Sequence, residues 1–298
     1  MTDKLVDITK QYVKNLLPKR DLNSNKGSFG KVLNVAGCAN YQGAAYLSSL
    51  APLKVGAGLV TLASIDSVIN NLASNAPWIT FFSLKDEDKN FIAADAFIGL
   101  KPVIDNYNVI SIGPGLSDSI SVCSFVEDIL DYLSDADKNV VLDADALNII
   151  SKLGVKKVPR NSIMTPHPME LSRLLGVSVD VIQADRVKYA MMASEKFNCV
   201  VVLKGQGSII SLPNGKVFKN TTGNSALAKA GSGDVLTGII SGFLAQGVYL
   251  SEAVLLAVYL HGLCGELAAK DLTEYSVLAT EQIEYIPTAL RHIMEVSS

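Results

Sequence analysis

Asn224-Ser-Ala-Leu-Ala-Lys-Ala-Gly-Ser-Gly-Asp234-Val-Leu-Thr-Gly238 is the stretch from which this chain is best read. Gly231 and Gly233 can take backbone conformations closed to other residues and leave their N–H groups uncovered. The apolar run that follows, residues 235–244, reads as a buried helix. Its first turn offers free N–H donors and the positive end of a dipole. Together these make an anion site, with phosphate the anion it suits. Asp234 sits where that helix begins, so a carboxylate is delivered beside the phosphate pocket. An Asp before a helix often does no more than cap it. Two glycines, Lys229 and Asn224 in one short segment make capping alone the weaker account.

Outward from this segment, short runs rich in Val, Ile and Leu (residues 32–36, 59–63, 109–112, 140–142, 162–165 and 199–203) alternate with helix-type stretches (42–55, 120–133, 170–175 and 181–197). That alternation predicts parallel strands joined by crossover helices. The expected fold is α/β, with a doubly wound, mostly parallel central sheet flanked by helices on both faces. Such sheets bind ligands beyond the carboxyl ends of their strands, and the glycine and acidic motifs here fall just after predicted strands. Residues 209–212 and 216–219 flank Pro213-Asn-Gly215 and read as a β-hairpin. The last third, residues 234–244, 252–269 and 280–294, is mainly helical. Pro52 is expected to kink or split the helix over 42–55. With no Pro/Ser-rich linker, repeat or low-complexity tract, one domain over residues 1–298 is the expectation.

Composition narrows the function classes. Hydrophobic residues make up 49% of the 298 and charged residues only 18%, which suits a large buried core. A net charge of −3 argues against nucleic acid, which needs a basic face. The longest apolar stretch, residues 253–260, is too short to span a bilayer. The start lacks the charged-then-apolar order of a signal peptide, so a cytoplasmic location is expected. Cys38, Cys123, Cys199 and Cys264 are widely spaced and read as buried reduced thiols.

Further motifs each carry a bland alternative. Lys204-Gly-Gln-Gly-Ser208 follows a predicted strand and either holds a nucleotide's phosphates or ribose, or is a tight turn. In Thr165-Pro-His-Pro-Met-Glu170 two prolines stiffen the loop around His167, and Pro168 can open the next helix. Glu170 in that first turn either holds magnesium-bound water or is a favourable charge at a helix start. Gly113-Pro-Gly-Leu116 lets backbone approach a ligand, or is a simple turn. In Asp143-Ala-Asp145 the second Asp is placed to cap residues 146–151 and the first to face the cleft. His261 and His292 lie in apolar helical surroundings and read as structural.

Taken together the segments resemble the NAD(P)H-hydrate dehydratase family of the ribokinase-like superfamily. The matching pieces are Lys26-Gly-Ser-Phe-Gly30, residues 37–45, Gly113-Pro-Gly-Leu116, Leu142-Asp-Ala-Asp-Ala-Leu-Asn148, Thr165-Pro-His-Pro-Met-Glu170, Val202-Leu-Lys-Gly-Gln-Gly-Ser208 and residues 223–238. They occur in the family's order over roughly residues 26–247. Gly-Ser-Gly-Asp alone marks only the superfamily; the other segments make the match specific.

The resemblance implies repair of hydrated NADH or NADPH, in which water has added at the nicotinamide C6. Members phosphorylate that hydroxyl from ADP, or from ATP in eukaryotic relatives, and then eliminate phosphate. Asp234 is implied as the base, with a pKa kept low by the helix start, and the N–H groups of Gly231, Ser232 and Gly233 as the anion hole. By position match Ala44, Gly115, His167 and Asp234 contact the hydrated dinucleotide. Lys204, Gly205, Gln206, Gly207, Ser208 and Gly233 hold the adenine nucleotide. Magnesium is implied, with Glu170 in its outer shell. A homo-oligomer, a tetramer by family habit, is implied too. The chain departs from the pattern at Asn25, where relatives often carry His, and at Asn224-Ser-Ala, where they have Asn-Pro-Gly. Residues 1–25 are expected to form a helical extension, too short for the epimerase domain fused to many bacterial relatives. Other readings are a vitamin or sugar kinase of the same superfamily, and a nucleotide-binding regulatory module.

Overall fold

A computed structural model describes residues 5–295 of the chain. Its strands are β1 (Val6–Ile8), β2 (Lys31–Val35), β3 (Leu59–Ile65), β4 (Thr80–Leu84), β5 (Asp86–Glu87), β6 (Phe91–Ile92), β7 (Val109–Ile112), β8 (Asn139–Leu142), β9 (Asn161–Met164), β10 (Val200–Leu203), β11 (Ile209–Ser211) and β12 (Val217–Asn220). Ten of them form one sheet in the order β1-β12-β11-β10-β9-β8-β7-β2-β3-β4, and β5 pairs with β6 apart from it. From β4 across to β10 every pairing is parallel. β11 is the antiparallel insertion, hairpinned to β12 around the expected turn. The central strands are largely apolar because helices cover both faces, with Asn34, Ser111 and Ser162 the buried polar exceptions in β2, β7 and β9. In β10, Val201 and Leu203 enter one core while Val200 and Val202 enter the other, the two-residue period of a strand.

One face is covered by helices such as Ile120–Ser134 and Arg186–Phe197, with Phe125 and Phe197 in the core; the other by Ser232–Ala245 and Leu250–Leu272, with Phe243 and Leu256. The helix Ser232–Ala245 lies tightly on Gln42–Val55. A Cβ on Gly242 would fall 2.3 Å from Val55 Cγ2 and 2.8 Å from Pro52 Cα, so only glycine permits the approach. The expected split of the helix Gln42–Val55 does not occur. Pro52 neither splits nor ends its helix, which runs unbroken over Gln42–Val55 and closes at left-handed Gly56. Pro52 falls in the last turn, and its ring packs against Gly238.

Other boundaries differ for local reasons. The stretch expected as one helix over 181–197 is two, Val179–Ala184 and Arg186–Phe197, broken at Asp185, whose carboxylate caps the second. Residues 280–294 likewise divide into Ala279–Glu284 and Ile286–Met294 at Tyr285, with a proline opening the second helix. The N-terminal extension is not simply helical: β1 joins the sheet edge parallel to β12, before a five-residue helix, Lys10–Lys14. The apolar stretch at 253–260 belongs to a longer helix, Leu250–Leu272, whose 23 residues match a membrane span in length and composition. Its most apolar window is 78% buried within the fold, where it forms core.

Candidate active site

Strand ends of the sheet bring the candidate residues to one edge. Asp143 follows β8, Thr165-Pro-His167 follows β9 and Lys204 follows β10. Backbone bonds lace these loops together: Asp143 N–H donates to Ile112 O at 3.2 Å, Thr165 N–H to Leu142 O at 3.1 Å, and Lys204 N–H to Pro166 O at 2.9 Å. Ala144 sits at φ 49, ψ −117, a conformation that costs a non-glycine residue free energy and turns the chain sharply between the two aspartates. Asp143 is thereby buried facing the cleft. Asp145 opens the helix Asp145–Leu153, and its carboxylate takes the Ser117 N–H at 2.7 Å rather than capping residues 146–151.

Lys204 is the hub. Its Nζ lies 2.7 Å from Asp143 Oδ1 and 3.9 Å from Glu170 Oε2. The other Asp143 oxygen accepts the Thr237 hydroxyl at 2.8 Å, from the first turns of the helix Ser232–Ala245. Burial opposes the Lys204 ammonium, but Asp143, Glu170 and Asp234 outweigh it and hold its pKa above the usual value. A Cβ on Gly233 would stand 3.3 Å from Lys204 Nζ, so the anion loop and the lysine share one space.

Asp234 corrects the expectation of a low pKa. Burial, then the neighbouring Asp143 charge, push its carboxyl up to about 7, although Lys204 pulls the other way. The helix start does not overcome burial together with the charges of Asp143 and Asp145. Glu170 is also pushed up to about 7, first by burial and then by Asp143, against Lys204.

His167 and Glu170 form a capping box at the start of the helix Pro168–Leu175. His167 Nδ1 accepts the N–H groups of Met169 at 3.0 Å and Glu170 at 3.2 Å, while Glu170 Oε2 accepts the His167 N–H at 2.7 Å. Two donors facing Nδ1 leave the neutral ring's proton on Nε2, which stands 3.4 Å from Glu170 Oε1. Burial and then Lys204 lower the His167 pKa, so the ring is neutral and the contact is not an ion pair at neutral pH.

A cavity of about 920 Å³ lies over these groups. Its lining includes Asp143, His167, Glu170, Lys204, Gly233 and Asp234, with Gly205, Gln206, Ser208, Gly231 and Ser232. Gly207 opens instead onto a neighbouring hollow of about 490 Å³ beside Lys219 and Asn220. Ala44 and Gly115 lie outside both linings and against each other: a Cβ on Gly115 would fall 2.9 Å from Ala44 Cβ and 2.7 Å from Tyr41 O. Of the three anion-loop residues, Ser232 already spends its N–H on Lys229 O at 3.3 Å.

Some participants were not legible. Thr237 was read only as part of an apolar helix, and its partner lies 94 residues away in sequence. His261, read as structural, lines the cavity. Its Nε2 stands 3.2 Å from both Ser232 Oγ and Gln282 Oε1, and Ser232 Oγ donates to Gln282 Oε1 at 3.0 Å. Burial pushes its pKa down to about 4, so it stays neutral. The two departures from the family pattern have local partners: Asn25 Oδ1 caps a short turn through the Gly27 N–H at 2.8 Å, and the Ser225 hydroxyl bonds Glu274.

Comparison with known proteins bears on this geometry. The sequence pattern of a family described as NAD(P)H-hydrate dehydratase matches residues 32–288. The chain is 38% identical over 279 residues to an ADP-dependent (S)-NAD(P)H-hydrate dehydratase of Bacillus subtilis, covering 94% of this chain and 95% of that one. It is 36% identical over 292 residues to a bifunctional NAD(P)H-hydrate repair enzyme of Moorella thermoacetica, covering 97% of this chain but 54% of the relative, so it spans about half the length of such relatives. A crystal structure of ADP/ATP-dependent NAD(P)H-hydrate dehydratase from Bacillus subtilis, co-crystallised with ATP and Mg²⁺, superposes with a TM-score of 0.85 at 34% identity, covering 97% of this chain and 99% of that one. A ribokinase-like superfamily protein of Enterococcus faecalis does so with the same TM-score at 28% identity, covering 97% and 96%. The fold is ribokinase-like, as the sequence predicts.

Proposed function

The chain belongs to the NAD(P)H-hydrate dehydratase family, and from that premise we propose that it repairs hydrated NADH and NADPH using an adenine nucleotide, ADP before ATP. The observation that carries this reading is Asp234, poised near neutrality at the mouth of a glycine-opened helix and facing a cavity shared with Lys204.

In this reading the hydrate places its C6 hydroxyl beside Asp234. The carboxylate takes the hydroxyl proton as the oxygen attacks the terminal phosphorus. The new O–P bond forms, the bond to the bridging oxygen breaks, and AMP leaves. A base with pKa near the working pH combines a populated ionised form with real driving force for proton transfer. Phosphoryl transfer asks little else of the protein than alignment and charge stabilisation, which the N–H groups at Gly233 and the Lys204 ammonium supply. Hydroxide is a poor leaving group and phosphate a good one. The ring nitrogen lone pair then expels phosphate from C6, a proton leaves C5, and the dihydronicotinamide is restored. His167, neutral and held by its own helix, offers its Nε2–H to the dinucleotide. Ala44 and Gly115, which touch each other outside that cavity, contact the dinucleotide in this reading, and Lys204–Ser208 hold the nucleotide.

Among the described residues no three His, Cys, Asp or Glu side chains are grouped to hold a metal ion. Magnesium keeps waters and takes one or two carboxylates together with substrate phosphates. Asp143 and Glu170, which line the cavity beside Lys204, would hold it, Glu170 through water. Bound there, it would neutralise the clustered phosphates. The expected homo-oligomer, a tetramer, rests on the family, and the expected cytoplasmic location on the residue order at the start of the sequence.

The test is near-UV absorbance of hydrated NADH or NADPH incubated with the protein, Mg²⁺ and either ADP or ATP. Recovery of the dihydronicotinamide band, faster with ADP and lost in Asp234→Asn, supports the reading. No recovery with either nucleotide would sink it, and phosphorylation of a vitamin or sugar alcohol instead would make the chain a kinase.

A further inference from the structure

Arg186 opens the helix Arg186–Phe197 and lies outside the cavity lining, against the loop that follows β10. Its Nη1 donates to Gln206 O at 2.7 Å, and its Nη2 to Leu203 O at 3.0 Å and Lys204 O at 3.2 Å. One guanidinium thus gathers three carbonyls of a four-residue stretch. Gly205 sits at φ +146, and a Cβ there would fall 2.8 Å from Arg186 Nη2 and 3.2 Å from its Cζ. The glycine is therefore matched to the arginine as well as to the turn. Among the described residues no carboxylate lies within ion-pair distance of Arg186, and its buried Nε has no partner.

The captured carbonyls have a consequence for the opposite side of the loop. A peptide group is planar and trans, so each carbonyl aimed at Arg186 aims the following N–H the other way. The Lys204 N–H is sent to Pro166 O, and the Gly205 N–H to Ser208 Oγ at 3.3 Å. The Gly207 N–H, following the Gln206 carbonyl, has no acceptor among the described residues and belongs to the loop lining the smaller hollow. A planar fork with several donors suits such a multiple grip; an ammonium does not.

We propose that Arg186 is a positioning residue for adenine-nucleotide binding: it holds the Lys204–Ser208 loop by three carbonyls so that the Gly207 N–H and the lysine face the nucleotide. Its unneutralised charge behind the loop adds to the attraction for phosphate. The inference rests on the reading of Lys204–Ser208 as the nucleotide loop.

The experiment compares Arg186→Gln, Arg186→Lys and Gly205→Ala with the parent protein. It reads KM for ADP, KM for hydrated NADH, kcat, direct ADP affinity by calorimetry, and thermal midpoint. Arg186→Gln is expected to raise KM and Kd for ADP about tenfold or more, as befits loss of charged hydrogen bonds. KM for the hydrate stays unchanged, and Arg186→Lys recovers part of the affinity. Parent-like ADP affinity in Arg186→Gln, with weakened affinity in Gly205→Ala, overturns the role of Arg186 and leaves the loop reading standing. Unchanged ADP affinity in both overturns the two together. An equal rise in both KM values, tracking a lowered thermal midpoint, makes Arg186 merely structural and also overturns the proposal. Should Arg186→Gln fail to fold, Arg186→Lys decides: weakened ADP affinity alone supports the role, and parent affinity refutes it.

Discussion

Lys204 Nζ and Asp143 Oδ1 are 2.7 Å apart at the ends of two strands separated by β9, and the pair organises the site. Asp143 is almost wholly buried, and its second oxygen is held by Thr237 on the helix that carries Asp234. One ion pair thus fixes the distance between the sheet edge, the anion loop and the candidate base.

Lys204→Met is expected to lower stability by about 3–5 kcal/mol at neutral pH, because it leaves a buried carboxylate uncompensated. Urea unfolding measures this. The double variant Lys204→Met with Asp143→Asn should recover much of the loss; a double variant as unstable as the single would show that the methionine, not the orphaned charge, is at fault.

The acid limb of kcat/KM should fall near pH 7, since Asp234 must be ionised to act as base and its pKa is about 7. Glu170 titrates in the same range, so the limb belongs to the cluster until one member is removed. In Glu170→Gln the limb should persist if Asp234 owns it. A pH-independent rate in that variant would reassign the limb to Glu170.

The same shift has a stability consequence. A carboxyl near pKa 7 folded and about 3.9 unfolded favours the folded state while protonated, and that contribution is lost as pH rises through 7. Asp234→Asn removes the loss. Its thermal midpoint should exceed the parent's by several degrees at pH 8 and match it near pH 4. A difference that does not change with pH would refute the burial account.

Gly115→Ala should damage the hydrate side alone. Gly115 lies at φ +65, where an L side chain costs about 1–2 kcal/mol, and its Cβ would meet Tyr41 O and Ala44 Cβ under 3.0 Å. A rise in KM for hydrated NADH with KM for ADP unchanged is expected. An effect on ADP instead would place this turn on the nucleotide side.

Much was legible in sequence because local chemistry decided it. Strand runs such as 109–112 and 42–55 as a helix were readable from apolar periodicity, and the parallel sheet from their alternation, since only crossover helices fit between such runs. The segment around Asp234 and the Pro-His-Pro loop revealed themselves through glycine and proline, whose backbone limits are properties of the residue. The short edge strands β1 and β4 were missed, being half-exposed and lacking a continuous apolar run.

What the chain's order could not contain was decided by packing. That Asp234 titrates near 7, against the pull of its helix, depends on Asp143 and Lys204 arriving from other strands and on the water excluded around them. The sequence does not single out Thr237 or Arg186, and His261 reads there as structural, because a side chain's partners are set by folding across tens of residues. Residue type and spacing point to a phosphate site as an expectation. Burial and the convergence of charges, which exist only once the sheet closes, determined how each carboxylate in it holds its proton.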